Sequence, residues 1–554
     1  MKVKKIIAIL MATAMVIGVA GCSGNAETAN QTETNGNKKE ENLASDNAEA
    51  GDTDSAQDTS MRGGLELPVT DTPITVSIFG EISMNATTIS SYNENEVYKE
   101  LAERTGVTVE WEHPPMGETT KAFQLMVSSG DYTDLIITPP RYEYPGGLDQ
   151  AVEDGVFLDL TEYIPQYMPN FSAMLEKYEG VRKAVTTENG RIVGFCRVPA
   201  NGELQGPYGG LQIRKDWLDE VGLDVPVTYD DWTEMLRVFK EKFGCKAAFA
   251  LHGNGYFNDD QMNAGFGVTN TFMKVGDEVK WGPMEEGWKE YVTLMNQWYK
   301  EGLIDPEYTT HTNDWAEVTD LATNDTGAYS SMYTMPAVYR AAIEGFECIA
   351  VQNPVKEEGQ TAQARVGSVS YRAPSLFVST AVSEEELPAI LKWIDYQYSE
   401  EGRILSNYGI EGDTFIYNEA GEVEYTDKIM NNPEGKTYAQ ATEEYLGTSM
   451  YNWHQDWRKE LMALEDQDAA MMDVWWKDGT DLKLPDLSLT EEESLEKNAI
   501  MADCETYMKE MTNKFITGIE PIEKFDEYVE TLKSMGIEKA ITITQAGYDR
   551  YLAK

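Results

Sequence analysis

Strand and helix patterns alternate where the folded part of the chain begins. In "ITVSIFG", Ile74, Val76 and Ile78 occupy every second position, which is typical of a strand with one buried face. "NEVYKELAERTG" follows as a helix that ends at Gly106, and "VTVEWEH" as a second strand. "KAFQLMVSSG" then predicts a helix that ends near Gly130, and "DLIIT" a third strand. This β-α-β-α-β order predicts an α/β fold, with helices on the faces of a sheet.

Capping patterns predict helices further along the chain. A threonine or serine precedes each of three helices, and an acidic residue follows three positions later, as in a capping box. The pairs are Thr228 with Asp231, Ser383 with Glu386, and Thr490 with Glu493. The last pair opens a long amphipathic run, so the C-terminal third is predicted to be mainly helical.

The N-terminus has the pattern of a secretory signal. Lys2, Lys4 and Lys5 precede an apolar run over 6–19, which is shorter than the ~20 residues of a membrane-spanning helix. The run ends in "VAGC", which resembles a bacterial lipobox, where the cysteine is acylated and becomes the new N-terminus. We predict a lipoprotein signal peptide over 1–21 and lipidation at Cys22. The alternative is a plain signal peptide with a chance cysteine at its end.

A polar segment follows Cys22. Residues 23–65 contain no Trp, Phe or Tyr and consist mostly of Asn, Ala, Glu, Thr, Asp, Gly and Ser. Such a composition cannot bury enough apolar surface to offset the entropy lost on folding. We therefore predict a lipid anchor and a disordered acidic linker over 22–66. The remaining chain is long enough for two or more domains.

The charge of the chain excludes some partners. The formal net charge is -50, and a surface this acidic repels phosphate backbones, so no nucleic acid is expected as a partner. The sequence also has no basic amphipathic patch that would hold an anionic membrane surface. Contact with the membrane is therefore expected through the lipid anchor only.

The sequence carries no catalytic or metal-binding motif. It lacks H-E-x-x-H and G-x-S-x-G, "PEGKTY" lacks the first glycine of a P-loop, and the four histidines show no ligand spacing. "NDDQMN" lacks the ligand ladder of a calcium loop. We expect neither an enzyme nor a cofactor. Cysteines 196, 245, 348 and 504 would allow two disulfides, but their apolar settings favour buried unpaired thiols.

Aromatic residues on polar loops are candidates for ligand contact. Tryptophans 232, 298 and 393 lie on apolar helix stripes and are expected in the core. Five other rings lie in segments rich in Gly, Asn and Ser: Tyr208, Tyr256, Tyr333, Tyr371 and Phe415. Rings beside hydrogen-bonding groups suit sugars, whose C–H faces stack while their hydroxyls form hydrogen bonds. The alternative is that these rings fill the edge of the core.

Several segments in order resemble the family 1 extracellular solute-binding proteins, the lipoprotein receptors of carbohydrate ABC importers. The most specific is "LQIRKDWLDEVGLDVPVTYDDW", and "KAFQLMVSSGDYTDLII", "TTENGRIVGF", "WYKEGLIDPEY", "WIDYQYSEEGRILSNYGIEG" and "AGYDRY" accompany it. The likeness covers nearly all of the chain after the linker. One departure is "DTGAYSSMYT", where the family usually has a tryptophan and this chain has Tyr333 nearby.

The resemblance implies a two-lobed periplasmic-binding-protein-like fold of type II, in which each lobe is a mixed sheet flanked by helices. It implies lobe 1 over 67–203 and 355–400, and lobe 2 over 204–354 and 401–554. Gly202, Gly206, Gly209 and Gly210 suit a hinge, because glycine tolerates large changes in φ and ψ. A return crossing is expected near "VQNPVKEEG".

The resemblance also implies a ligand site between the lobes. The expected ligand-binding residues are Tyr333 and Phe415 as stacking platforms, Glu411 as a hydroxyl acceptor with Asn407 beside it, Arg372 as a clamp for hydroxyls or a sugar carboxylate, and Tyr256, Tyr371 and Tyr208 as further contacts. Arg214 and Asp216 are expected to fix the start of a helix rather than to touch the ligand.

The implied function is capture of a carbohydrate, in particular an oligosaccharide, and its delivery to the permease of an ABC importer with a cytoplasmic ATPase. The protein is expected as a monomer on the outer face of the cytoplasmic membrane of a Gram-positive bacterium. Two alternatives stay open at this point. One is a secreted polysaccharide-active hydrolase, and the other is a sugar-sensing lipoprotein without a transport role.

Overall fold

The computed structural model describes residues 60–138, 144–200, 206–311, 321, 324–367, 371–447 and 453–554. All of them belong to one compact unit. The predicted signal peptide, the lipidation site at Cys22, the linker up to residue 59 and Gly202 lie outside the described residues. Within those ranges no helix is both long and apolar enough to cross a membrane.

Strands and helices alternate along the described chain. The strands are β1 (Ile74–Phe79), β2 (Val107–Glu112), β3 (Leu135–Ile137), β4 (Gly194–Phe195), β5 (Val198–Pro199), β6 (Gly209–Arg214), β7 (Ala247–Phe249), β8 (Phe272–Val275), β9 (Glu278–Trp281), β10 (Thr326–Met332), β11 (Cys348–Ala350), β12 (Leu376–Val378), β13 (Phe415–Tyr417), β14 (Val423–Tyr425) and β15 (His454–Gln455).

The α-helices include many short ones and a few long ones. They are α1 (Glu96–Thr105), α2 (Thr119–Ser129), α3 (Gly147–Glu153), α4 (Ile164–Tyr167), α5 (Pro169–Lys177), α6 (Glu179–Val185), α7 (Lys215–Val221), α8 (Tyr229–Phe243), α9 (Glu286–Lys300), α10 (Pro336–Ala342), α11 (Leu387–Tyr398), α12 (Glu400–Tyr408), α13 (Asp427–Met430), α14 (Tyr438–Tyr445), α15 (Arg458–Leu461), α16 (Asp466–Ala469), α17 (Met471–Trp475), α18 (Glu491–Thr517), α19 (Phe525–Ser534) and α20 (Ile537–Ala553).

The first sheet has five strands in the order β2-β1-β3-β12-β4. β1 pairs with β2 and β3 in parallel, which confirms the predicted β-α-β-α-β unit. β12 pairs antiparallel with both β3 and β4, so the sheet is mixed. Gly106 and Gly130 end α1 and α2 in the left-handed conformation, as predicted.

The second sheet has four strands in the order β11-β6-β10-β7. β10 runs parallel to β7 and antiparallel to β6, and β11 is also antiparallel to β6. Trp232, on α8, and Trp298, on α9, are fully buried in the core of this sheet, and Trp393, on α11, is buried in the core of the first. The three tryptophans therefore lie where their helical spacing predicts.

Two of the three predicted capping boxes begin helices where expected. Thr228 and Asp231 form a complete capping box at α8, and Thr490 and Glu493 form one at the 27-residue α18. The Ser383 hydroxyl donates to the Glu386 carboxylate (2.7 Å), but α11 begins only at Leu387, after a turn. The helix-rich C-terminal part is confirmed by α18, α19 and α20.

The packing around the two sheets gives the surroundings of the chain near the predicted lobe boundaries at 355 and 401. Val355 pairs with Thr228 at the start of α8, and the Arg365 amide donates to the Gly479 carbonyl (2.8 Å). The chain around 355–365 therefore still packs beside the second sheet. Leu405, within the range predicted for lobe 2, is buried in the core of the first sheet because α12 packs on α11. The division into two lobes at the predicted residues stays a prediction.

The four cysteines within the described ranges are unpaired. Cys196, Cys245, Cys348 and Cys504 are all buried and free. Burial raises the pKa of the Cys196 and Cys348 thiols to about 12, which keeps these thiols protonated and unreactive. The preference for buried thiols over disulfides is therefore the correct interpretation.

Candidate functional site

Two sheet edges are linked by the segments that cross between the sheets. The first edge contains the carboxyl ends of β1, β3 and β4 and the beginning of β12, because β4 and β3 are both antiparallel to β12. The second edge contains the carboxyl ends of β7, β10 and β11 and the beginning of β6. One crossing leads from β4 to β6 and the other from β11 to β12, so both join the first edge to the second. Ligands of open α/β sheets bind beyond the carboxyl ends of strands, which makes the linked edges the candidate site.

Tyr208 and Tyr333 lie together on the second edge. Tyr208 precedes β6, Tyr333 follows β10, and the Tyr333 amide donates to the Tyr208 carbonyl (3.2 Å). The Tyr333 hydroxyl donates to Glu460 Oε2 (2.8 Å), and the Tyr208 hydroxyl contacts Asp259 Oδ2 at 3.4 Å. Burial, followed by the Glu460 carboxylate, raises the pKa of the Tyr333 phenol far above its ordinary value. The Tyr333 phenol therefore stays protonated beside a carboxylate.

Two tryptophans that sequence reasoning missed join this edge. Trp457 is half-buried and packs on the cluster that contains Tyr208 and Tyr333. Trp476 is half-buried beneath the Arg365 guanidinium, whose central carbon is 4.4 Å from the ring centroid. Each tryptophan stands in a short polar stretch, "QDWRKE" or "VWWKDG", that follows no helical stripe. That absence of periodicity is the signal that would have found them.

Two of the glycines predicted to form a hinge are packed against tryptophans. A Cβ on Gly206 would lie 2.5 Å from Cζ3 of Trp476, and one on Gly210 would lie 2.6 Å from Nε1 of Trp475. The Trp475 indole N–H donates to the Leu211 carbonyl (3.1 Å), which fixes its ring against β6. Gly206 and Gly210 therefore leave space for indole rings, which is a reason for glycine at both positions, and their role in a hinge stays a prediction.

Asn407 holds the segment that leads to Trp457. Its Oδ1 accepts the Asp456 amide (2.8 Å), and its Nδ2 donates to the His454 carbonyl (2.9 Å). Asp456 is buried and accepts from Arg403 (2.8 Å). Burial acts to raise the pKa of Asp456, but hydrogen bonds and nearby guanidinium groups lower it overall. Asn407 is fully buried and acts here through the backbone, so its direct contact with a ligand stays a prediction.

Three predicted contacts lie in other parts of the molecule. Phe415 is 1% exposed and packs in a separate cluster with Tyr408 and Tyr425. Glu411 is exposed at the turn before β13. Tyr256 is buried in the core of the second sheet, with its ring 5.4 Å from that of Trp288. The structure does not bring these residues to Tyr333, and their roles in binding stay predictions.

Tyr371 and Arg372 lie on the first edge, just before β12. Tyr371 is 9% exposed, and its ring is 6.3 Å from that of Tyr178. A Cβ on Gly180 would lie 2.8 Å from the Tyr371 ring, so α6 supports this ring closely. Arg372 is exposed, and its contact with a ligand stays a prediction. Arg214, by contrast, is buried and donates to Asp216 (2.8 Å) at the start of α7, as expected of a residue that fixes a helix.

A cavity of about 370 Å³ opens beside the first edge. Its walls come from the chain around α3, the turn at 184–189, Pro374 and the first turns of α18. The Tyr144 hydroxyl donates to Asp154 Oδ2 (2.6 Å) there, and Tyr144 is the one aromatic residue among the lining residues described. A cavity of this size accommodates a small organic ligand or part of a longer one.

A model of the bacterial extracellular solute-binding protein family matches residues 88–404, more than half of the chain. The chain belongs to this family. As a solute-binding protein it is a binding protein and not an enzyme. Among proteins similar in sequence, the fructooligosaccharide ABC transporter substrate-binding protein FusA of Streptococcus pneumoniae is 25% identical over 494 residues, which cover 83% of this chain and 88% of that protein.

Solved structures of such proteins share the fold of this solute-binding protein. An HMO-binding, ABC-transporter-associated solute-binding protein of Bifidobacterium longum infantis has a TM-score of 0.70 at 19% identity, covering 87% of this chain and 99% of that chain. The alginate-binding protein AlgQ2 without calcium ion has a TM-score of 0.64 at 24% identity, covering 88% and 100%. These likenesses confirm the predicted two-lobed, periplasmic-binding-protein-like α/β fold.

Proposed function

We propose that this solute-binding protein captures a carbohydrate, in particular an oligosaccharide, between the two linked edges and delivers it to the permease of an ABC importer. The second edge supplies Tyr208, Tyr333, Trp457 and Trp476 as ring platforms, and the first edge supplies Tyr371 and Arg372. Closure of the two edges on each other would bury the ligand and create a joint surface for the permease.

The pairing of phenols with carboxylates is the observation that carries this proposal. Tyr333 with Glu460 and Tyr208 with Asp259 each place a carboxylate within 3.4 Å of a ring hydroxyl. A sugar needs an apolar face for its C–H groups and charged acceptors for its hydroxyls, and each pair offers both. A site for a purely apolar solute would not place two half-buried carboxylates beside its rings, because even their partial desolvation is costly.

The names of similar proteins support a carbohydrate as the solute. FusA is named for fructooligosaccharides, and a protein of Bacillus subtilis that is 25% identical over 288 residues is named as a polygalacturonan/rhamnogalacturonan-binding protein. These names include neutral and acidic saccharides. For this chain, Arg372 and Arg365 would suit an acidic sugar, and the phenol–carboxylate pairs would suit a neutral one.

We further propose that Cys22 carries the lipid that holds the protein on the outer face of the cytoplasmic membrane. The lipobox pattern and the ring-free linker support this, and a protein named lipoprotein LipO in Bacillus subtilis is 25% identical over 351 residues. The receptor would act as a monomer beside its permease, with the ATPase on the cytoplasmic side.

A calorimetric screen of the purified protein with neutral and acidic oligosaccharides tests the proposed function. We expect at least one oligosaccharide to bind in the micromolar range and to be recovered unchanged. Ligand binding should also raise the unfolding temperature, because only the folded state binds. Release of reducing ends, or binding of amino acids or peptides but of no saccharide, would contradict the proposal.

A further inference from the structure

A second cavity, of about 270 Å³, shares Leu489 with the cavity beside the first edge, but none of the aromatic residues of the linked edges lines it. It lies where β8 meets the chain at 483–489 and where α18 and α20 pass, beside the core of the second sheet. Phe272, Leu484 and Leu487 form apolar walls, and the charged lining residues are Asp260, Asp486, Lys483 and Lys497. A concave, mostly apolar site with a few converging polar groups is typical of small-molecule binding.

Asp260 has one carboxylate oxygen without a hydrogen-bond donor. The side chain is 4% exposed, and Oδ1 accepts from the Asn270 amide (2.7 Å) and from Asn263 Nδ2 (3.1 Å). Across the described residues, no donor reaches Oδ2, although Asp260 lines the cavity. Burial raises the pKa of Asp260 to about 6, so the group is mostly ionised at pH 7. Because Asp260 lines the cavity, a ligand hydroxyl there would donate to this oxygen, to which no group of the described residues donates.

Lys497 provides the complementary group. Its ammonium lies 4.7 Å from the centroid of the Phe272 ring, and it makes no hydrogen bond or ion pair with any residue that the structure describes. Burial lowers the pKa of Lys497. Lys483, on the same wall, is already occupied, because its ammonium donates to the carbonyls of Arg365 (2.9 Å) and Gly367 (2.7 Å). The cavity therefore holds one unsatisfied acceptor and one unsatisfied donor.

We propose that this cavity binds a small neutral polyol, such as a single sugar ring, whose hydroxyls donate to Asp260 Oδ2 and accept from Lys497. Hydroxyls on neighbouring carbons donate and accept at once, so a polyol satisfies both groups without adding net charge. The apolar walls receive the C–H face of the ring. A zwitterion is the competing occupant, but it would have to match the fixed separation of two side-chain charges.

Protection of Lys497 from acetylation tests this site directly. The full mature chain is treated with an acetylating reagent, and the rate at Lys497 is followed by peptide mass spectrometry with and without methyl α-glucopyranoside. At a glycoside concentration several times the dissociation constant, we expect acetylation of Lys497 to slow about fivefold. Lys539, which pairs with Glu496 on the surface nearby (3.3 Å), is the internal control and should be unaffected.

Two variants separate binding from a loss of structure. Asp260→Asn should abolish the protection, because the amide is a weaker acceptor. Asp395→Asn is the matched control: Asp395 is also buried, but both of its oxygens already accept hydrogen bonds, so protection should persist. Circular dichroism of each variant establishes that it is folded. Protection that survives in the folded Asp260→Asn protein would overturn the proposal.

Other outcomes also decide the question. Protection by glycine betaine, a zwitterion without N–H groups, but not by the glycoside would assign the cavity to zwitterions and refute the polyol. Absence of protection by either compound at molar concentration would refute a binding site. A Glu460→Gln variant distinguishes this site from the main function. This substitution on the second edge should leave the protection of Lys497 unchanged.

Discussion

The backbone amide of Tyr333 donates a hydrogen bond to the carbonyl oxygen of Tyr208, with 3.2 Å between the two atoms. This bond lies just beyond the antiparallel pair of β6 and β10, so it places two loop tyrosines from distant parts of the chain side by side. Their hydroxyls then reach different carboxylates, Asp259 and Glu460. The second edge therefore presents two ring–acid pairs at a spacing that the sheet itself fixes.

Loss of the Glu460 charge should weaken oligosaccharide binding. Glu460→Gln keeps the size of the side chain and its contact with Tyr333, but it replaces a charged acceptor with a neutral one. Hydrogen bonds to charged groups contribute about 1.5–3 kcal/mol, so we expect affinity to fall roughly tenfold or more by calorimetry. Glu530→Gln, which changes an exposed surface pair with Lys533, is the control. Equal affinities for the two variants would remove Glu460 from the site.

A methyl group on Gly210 should destabilise the protein. In Gly210→Ala the new Cβ would lie 2.6 Å from the Trp475 indole nitrogen, and that ring is held by its hydrogen bond to Leu211. Overpacking of this kind costs about 1–3 kcal/mol, which urea unfolding would measure. In a Trp475→Leu background the same substitution should cost less, because the ring that clashes is gone. Additive effects in the double variant would contradict the packing argument.

Mild acid should stabilise the fold through Asp395. Burial raises the pKa of Asp395 to about 6, above its ordinary value of 3.8. Between these values the folded state binds more protons than the unfolded state, so the free energy of unfolding rises as the pH falls from 7 towards 4. This contribution is complete below about pH 3.8 and is lost as the pH rises through about 6.

The pH dependence of the unfolding temperature, compared between the wild type and Asp395→Asn, provides the test. We expect the wild-type unfolding temperature to be higher at pH 5 than at pH 7, and this difference to shrink in the variant. Burial also raises the pKa of Asp478 to about 6, so Asp478 likewise increases the free energy of unfolding as the pH falls. Its contribution should persist in the Asp395→Asn variant. An unchanged pH slope in Asp395→Asn would show that this carboxyl titrates normally in the folded state.

The buried cysteines should not react in the native protein. Cys196, Cys245, Cys348 and Cys504 are free and buried, so a thiol reagent such as DTNB should label them only after unfolding. Dithiothreitol should leave the unfolding midpoint unchanged. A midpoint that falls on reduction would reveal a disulfide.

Replacement of the proposed lipid site should release the protein. We expect Cys22→Ser to move the receptor from the membrane fraction into the medium, because no other part of the acidic chain favours an anionic surface. Oligosaccharide affinity should stay the same, since Cys22 lies before the linker. Retention of the variant in the membrane fraction would contradict anchoring at this residue.

Local signals predicted the secondary structure well because the forces that set it are local. The Thr228 capping box and the left-handed Gly106 involve residues within one helical turn. The candidate site is different, because it depends on which distant segments meet. Phe415 has the same loop setting as Tyr333 in the sequence, yet the hairpin of β13 and β14 buries it in a separate cluster. Trp457 was missed because its segment is placed by the pairing of β15 with β5, a contact between distant parts of the chain that the local sequence does not predict.

The position of β12 also affects how the first sheet can assemble. β12 lies between β3 and β4, although the whole of the second sheet separates it from both in the chain. β4 therefore has no edge in the first sheet to join until β12 has emerged from the export channel. During secretion the early strands therefore have an unpaired edge until β12 arrives. Folding of this sheet depends on contacts between residues far apart in sequence, which form slowly. An unpaired strand edge that persists in this time favours aggregation.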